Sequence, residues 1–209
     1  ACQLRQTGAR WLVTTAGPTG RKLRGVTAQT AITETIMIGD RTAGTIPFWS
    51  LRATAHEPAE RVSASDIALL PTSSGTTGLP KSVELTHQNL VASLCQTWLV
   101  HQVTEDDVVM AALPLFHIYG LQITLNLALL AGATVIILPR FGLDTFLRAV
   151  QDHRITRAEV VPPMVLGLAT AAAVDDYDLA SLRLLTSAAA PLSADLARTC
   201  AQRLGCRVK

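Results

Sequence analysis

Charge is scarce in this chain. Acidic and basic side chains together make up 16% of its 209 residues, well short of the quarter or so found in globular proteins. With 49% hydrophobic residues, so little charge argues against disorder and for much buried surface. The net charge of +2 comes with no basic stripe, which excludes a nucleic-acid-binding reading. Cysteine is equally uninformative as a scaffold. Cys2, Cys95, Cys200 and Cys206 form no CxxC pair and no metal spacing, and a chain of this length buries a core without disulfide staples. Free thiols in a reducing cytoplasm are expected. The opening "ACQLRQTGAR" lacks the apolar core of a signal peptide.

One segment lacks charge altogether, from Ile118 to Pro139. Its length matches the ~20 residues of a membrane span. Gln122, Thr124, Asn126 and two glycines interrupt it, and its second half, "ATVIILP", is β-branched and ends in proline. An amphipathic helix followed by a buried strand fits this pattern better than a transmembrane segment.

Elsewhere short β-branched runs alternate with helical periods. Strands are expected in "RWLVTTAG", "TETIMIGD", "DIALLP" (66–71), "VVMAALP" (108–114), "ATVIILP" (133–139), "RAEVVPP" (157–163) and "LRLLTSA" (182–188). After Thr86, a candidate N-cap, Leu90, Val91, Leu94, Cys95, Trp98 and Leu99 recur at helical spacing. Further helices are expected over 144–153 and 193–204, with Asp144 and Ser193 as caps. This alternation predicts an α/β protein with parallel-rich sheets flanked by helices, whose ligands bind at the carboxyl ends of the strands. Residues 53–65 have loop composition and are expected to connect a lobe at 1–52 to one at 66–209. The chain opens in what reads as the last turns of a helix and closes at "GCRVK", the start of a strand, so a fragment of a longer protein is expected.

The densest polar stretch is "TSSGTTGLPKSVELTH", residues 72–87. Ser, Thr and Gly are common turn formers, and the stretch could join two strands of a hairpin, although hairpin loops usually span only about 2–5 residues. The alternative is a phosphate grip. Gly75 and Gly78 let successive backbone N–H groups turn inward as an anion nest. Ser73, Ser74, Thr76 and Thr77 add hydroxyl donors, and Lys81 adds a point charge. The common nucleoside-triphosphatase loop is excluded, because it places glycine directly before lysine. Here Pro80 holds that position and sends the chain onward in an extended conformation.

"SSGTTGLPK" with "LTHQNL", followed in order by "LPLFHIYG" (113–120), "PPMVLGLA" and "LRLLTSAAAPLSADL", resembles the adenylate-forming enzymes. The likeness is to the 4-coumarate–CoA ligase branch, and it runs from about Asp66 to the end of the chain; residues 1–65 resemble the family weakly. The resemblance implies part of the large N-terminal domain of an enzyme that uses ATP, Mg²⁺ and coenzyme A to activate a small carboxylic acid. By that likeness Ser73, Ser74, Gly75, Thr76, Thr77, Gly78 and Lys81 hold the ATP phosphates. His117 borders the acyl site as the catalytic candidate, and Tyr119 lines the acyl pocket. Ala189, Ala190 and Pro191 flank adenine, and Arg140 stands where relatives carry a coenzyme A-contacting lysine. Ser82 and Ala188 stand where the family has glycine. The "GYGMTE"-like motif, the ribose-binding aspartate and the small C-terminal domain with its lysine are absent from this sequence, so the fragment alone is expected to be inactive. Two alternatives stay open: an adenylation domain or acyl-AMP ligase with another thiol acceptor, and a non-catalytic nucleotide-binding module.

Overall fold

The β-branched runs build parallel sheets, and the helical periods lie between them. The computed structural model describes residues 2–15, 17, 27–40, 42–51, 61–73 and 81–209. The chain divides into two compact units, Ala1–His87 and Gln88–Lys209. That boundary lies downstream of the 53–65 stretch, most of which falls outside the described residues.

In the first unit a short helix α1 (Cys2–Thr7) precedes β1 (Trp11–Thr15), β2 (Glu34–Ile38) and β3 (Ile46–Pro47), which form a parallel three-stranded sheet in that order. Ile36 and Met37 on β2 are its buried side chains. Two small antiparallel ladders follow. β4 (Ile67–Leu69) pairs with β7 (Leu85–Thr86), and β5 (Thr72–Ser73) pairs with β6 (Lys81–Ser82). Thr86 directly precedes helix α2 (His87–His101). No residue of α2 is buried, and Leu99 is 78% exposed. Its half-buried Leu94 packs against a small cluster with Val103, Val109 and Leu127, while the other end of the apolar spacing is exposed.

The second unit is a five-stranded parallel sheet in the order β12-β11-β10-β8-β9. It comprises β8 (Val108–Ala111), β9 (Thr134–Ile137), β10 (Arg157–Val160), β11 (Leu184–Ser187) and β12 (Arg207–Val208). β9 lies on one side of β8, and β10, β11 and β12 follow on the other. The order reverses between β8 and β10, and such a switch point opens a crevice at the carboxyl ends of the strands.

Pleating sends alternate residues to opposite faces. Met110, Ala158, Val160 and Leu185 join the larger core with Phe146, Leu147 and Val150 of α4 (Leu143–His153), Val165 and Leu168 of α5 (Pro162–Thr170) and Cys200 of α6 (Ala194–Leu204). Val109 faces the other way, with Val103, Leu127, Ala128 and Ala133. Each such large side chain contributes roughly 1.5–3 kcal/mol by leaving water.

Local chemistry places the helix ends. Ser193 caps α6 as expected, its hydroxyl accepting from the Leu196 N–H at 3.2 Å. Pro162 opens α5 after an extended Val161, where the missing N–H costs nothing. Asp144 is not a cap. Gly142 holds the N-cap of α4, and Asp144 sits in the first turn, accepting from Tyr177 and Arg148. The uncharged stretch forms a π-helix (Tyr119–Asn126) continuing into α3 (Leu127–Ala131), which ends at a left-handed Gly132. The strand after it, β9, is a half-exposed sheet edge rather than buried, with Ile137 56% exposed. Among the described residues no helix is long and apolar enough to cross a membrane.

Candidate functional site

The carboxyl ends of β8, β9, β10 and β11 gather most of the sequence-predicted residues of the second unit. After β8 the segment Pro114–Gly120 turns sharply. The His117 N–H donates to the Pro114 carbonyl at 3.1 Å, and the Leu121 N–H to the His117 carbonyl at 2.9 Å. Gly120 is obligatory in this turn, since a Cβ there would lie 2.4 Å from the Pro114 carbonyl oxygen. The π-helix that follows widens the backbone where the segment enters the sheet crevice; π-turns recur at functional sites.

His117 is exposed, and its Nδ1 accepts from the Tyr119 N–H at 3.1 Å. An accepting Nδ1 leaves the proton of the neutral ring on Nε2, directed away from that contact. Tyr119 is half-buried, its ring packed against the larger core. Its hydroxyl donates toward Glu159 Oε2 at 3.2 Å and toward the Thr186 carbonyl at 3.1 Å. Burial, reinforced by Glu159, raises the Tyr119 pKa, so the hydroxyl remains a donor at neutral pH.

Glu159 is the residue that sequence reasoning missed. It sits on β10, 2% exposed, with His101 Nδ1 3.8 Å from its Oε1. Burial pushes its pKa up to about 7, against the opposing pull of Arg157 and the hydrogen bonds it receives. The available signal was one acidic residue inside the otherwise apolar "AEVVPP".

Beside this network, an apolar cavity of about 540 Å³ opens among Leu113, Phe116, Ile137, Phe141 and Met164, with Arg140 at its wall. His117 and Tyr119 do not line it. Past β11, Ala188 donates its N–H to the Val160 carbonyl at 3.3 Å. Ala189 then takes a left-handed φ of 71°, a conformation costing an L-residue roughly 1–2 kcal/mol. Strain of this kind collects at ligand sites. It falls on Ala189, one position after the glycine-to-alanine departure at Ala188. Ala190 and Pro191 are exposed beside it.

In the first unit the polar stretch is carried on a hairpin. Ser73 lies directly opposite Lys81, and Thr72 opposite Ser82. The Val83 N–H extends the ladder to the Pro71 carbonyl at 2.9 Å. The stretch therefore joins two paired strands, with Ser73 and Lys81 exposed on either side of residues 74–80. Ser74, Gly75, Thr76, Thr77 and Gly78 lie outside the described residues. Ser82 buries its hydroxyl without a hydrogen-bond partner among the described residues. Among the described residues no group of three or more His, Cys, Asp or Glu is placed to hold a metal.

A family model described as AMP-binding enzyme matches residues 1–209. The chain belongs to the AMP-binding enzyme family. Membership thus reaches back through residues 1–65, before the motifs that begin near Asp66. Within this family the chain is 44% identical over 165 residues to a 4-coumarate–CoA ligase 2 of Oryza sativa subsp. japonica, an alignment covering 73% of this chain and 28% of that protein. The anthranilate CoA ligase AuaEII, solved in complex with anthranoyl-AMP, superposes with a TM-score of 0.87 at 25% identity, covering 99% of this chain and 41% of that one. ATP-bound MatB from Rhodopseudomonas palustris gives a TM-score of 0.78 at 27% identity, covering 98% and 41%. The chain therefore spans less than a third of the curated relative's length.

Proposed function

We propose that this chain is a central piece of the large N-terminal domain of an AMP-forming acid–CoA ligase. The observation that carries the reading is the hairpin that sets Ser73 opposite Lys81 across the Ser/Thr/Gly loop, in a chain 44% identical to a 4-coumarate–CoA ligase. In such a ligase a substrate carboxylate oxygen attacks the α-phosphorus of ATP. The bond to the bridging oxygen breaks, and pyrophosphate leaves with the electron pair. Coenzyme A's thiol, losing its proton, then attacks the acyl carbon and displaces AMP.

On this reading Lys81, with the hydroxyls and N–H groups of residues 73–78, binds the β- and γ-phosphates and stabilises charge developing on the leaving pyrophosphate. Mg²⁺ would neutralise further phosphate charge. His117, with Nε2–H facing outward, borders the reacting carboxylate. Tyr119 walls the acyl site with its ring while Glu159 and the Thr186 carbonyl hold its hydroxyl. Backbone at Ala189, Ala190 and Pro191 flanks adenine, and Arg140 meets coenzyme A at the mouth of the apolar cavity. Unpaired Cys95, Cys200 and Cys206 suit a reducing cytoplasm. The 209-residue piece by itself does not turn over on this reading, since the remainder of such a ligase supplies further site residues.

A full-length ligase carrying this segment should exchange pyrophosphate into ATP only when an aryl or fatty acid is present. Lys81→Ala should lower that rate by about 10²-fold, the scale of losing one charge-stabilising donor. No exchange with any such acid would refute the ligase reading. Exchange without thioester formation on added coenzyme A would instead move the protein to the adenylation-domain branch.

A further inference from the structure

A second cavity lies between the end of α2 and the first residues of β10, β11 and β12, and reaches Lys209, whose N–H donates to the Leu185 carbonyl at 3.0 Å. It measures about 170 Å³ and is lined by His101, Asp107, Arg157, Arg183, Arg207 and Lys209 among others. Sequence position explains the clustering. Asp107 directly precedes β8, Arg157 opens β10, Arg183 directly precedes β11 and Arg207 opens β12.

Among the described residues lining this cavity, basic side chains outnumber the one acid, Asp107. Asp107 accepts from Thr156 Oγ1 at 2.6 Å, the Thr104 N–H at 3.1 Å, Arg157 Nη1 at 3.1 Å and Arg183 Nη2 at 2.7 Å. Four donors fill the lone-pair sites of one carboxylate. Nothing of Asp107 remains for Arg207 or Lys209, and neither makes an ion pair among the described residues. Glu159, on β10, faces His101 of this cluster at 3.8 Å. Arg157 is 5% exposed; its Nη groups also donate to the Gln102 and His101 carbonyls at 3.4 and 2.8 Å, yet its Nε–H has no acceptor among the described residues. A solvated basic patch would not contain such a donor, which is costly to leave unmet out of water.

We propose that this cavity binds a compact, multiply charged oxyanion of the phosphate class. Excess positive charge around a saturated carboxylate, together with an orphaned buried guanidinium donor, matches an anion that brings several acceptors at once. Size sets the class. The cavity holds roughly ten water-sized volumes, while drug-sized ligands occupy roughly 300–1,000 Å³. A tetrahedral oxyanion fits, and a nucleoside does not. The site is separate from the ligase reading and stands or falls without it.

The test is a titration of the isotope-labelled 209-residue chain with inorganic phosphate, sodium chloride holding the ionic strength constant. The reporters are the Arg157 Nε–H and the His101 imidazole. Burial, then Arg157 and Lys209, hold the His101 pKa below its ordinary value; a bound anion should raise it. Expected are saturable shifts of both reporters, and a rise in Tm of roughly 3–6 °C at ten times the dissociation constant. Arg207→Gln with Lys209→Gln, both exposed and outside the core, should weaken binding about tenfold. Pyrophosphate and a sugar phosphate form further arms. Tighter binding of the inorganic anions identifies a free anion as the ligand, and tighter binding of the sugar phosphate identifies the end of a larger metabolite. Shifts that follow chloride equally, or that survive unchanged in the double variant, would overturn the proposal. So would a failure of all three phosphates to bind.

Discussion

Replacing Glu159 by glutamine should stabilise this protein above neutral pH and leave it nearly unchanged in acid. Glu159 is buried on β10 between Tyr119 and His101, and its pKa lies at about 7 against an ordinary 4.5. A carboxyl whose pKa is raised on folding binds its proton more tightly in the native state. Its contribution is fully present below pH 4.5 and is lost as pH rises through 7. At ~1.4 kcal/mol per unit, the interval amounts to about 3 kcal/mol of ionisation cost above pH 7. Glutamine keeps an acceptor for Tyr119 and never ionises. Urea unfolding of both proteins at pH 4.5, 6 and 8 should show a stability difference growing from near zero to about 3 kcal/mol in favour of Glu159→Gln. His101 shifts the opposite way, since its lowered pKa gives stability that is lost as pH falls. The comparison is therefore repeated in a His101→Gln background. A difference that stays flat with pH, or a Glu159→Gln protein less stable at pH 8, would show that Glu159 is not held in a desolvated site.

Other substitutions probe the backbone around the candidate site. Gly120→Ala drives a methyl against the Pro114 carbonyl and should cost about 1–3 kcal/mol, measured as a lowered denaturation midpoint. Ala189→Gly relieves the left-handed φ and should raise stability by up to about 1 kcal/mol, whereas Ala189→Val should lower it. Ser82→Ala removes a buried hydroxyl that has no partner among the described residues and should stabilise by about 1 kcal/mol; destabilisation would mean that the hydroxyl is bonded in solution. Phe146→Ala, at a fully buried position of the larger core, should cost about 3–5 kcal/mol.

Much of the fold was legible because its signals are local. Ser193 reads as a cap from its own neighbours, and "VVMA", "TVII" and "LLTS" read as strands from β-branched and apolar runs. Asp144 was misread because Gly142, two residues earlier, supplies the extended residue that starts α4. The periodicity of α2 identified a helix, but spacing alone carries no information about what covers the helix.

What the sequence by itself determined was therefore the element types, the family motifs and the chemistry available in each. Tertiary structure alone decided their juxtaposition. The Tyr119 hydroxyl meets Glu159 across a separation of 40 residues, and Asp107 meets Arg183 across 76. The strand order that places the switch point between β8 and β10 is likewise invisible in any local window. Helix caps and strand propensities depend on a few neighbouring residues. The ionisation of Glu159 and the excess of basic side chains around the second cavity depend on how much water the assembled sheet excludes, and only the packed chain sets that.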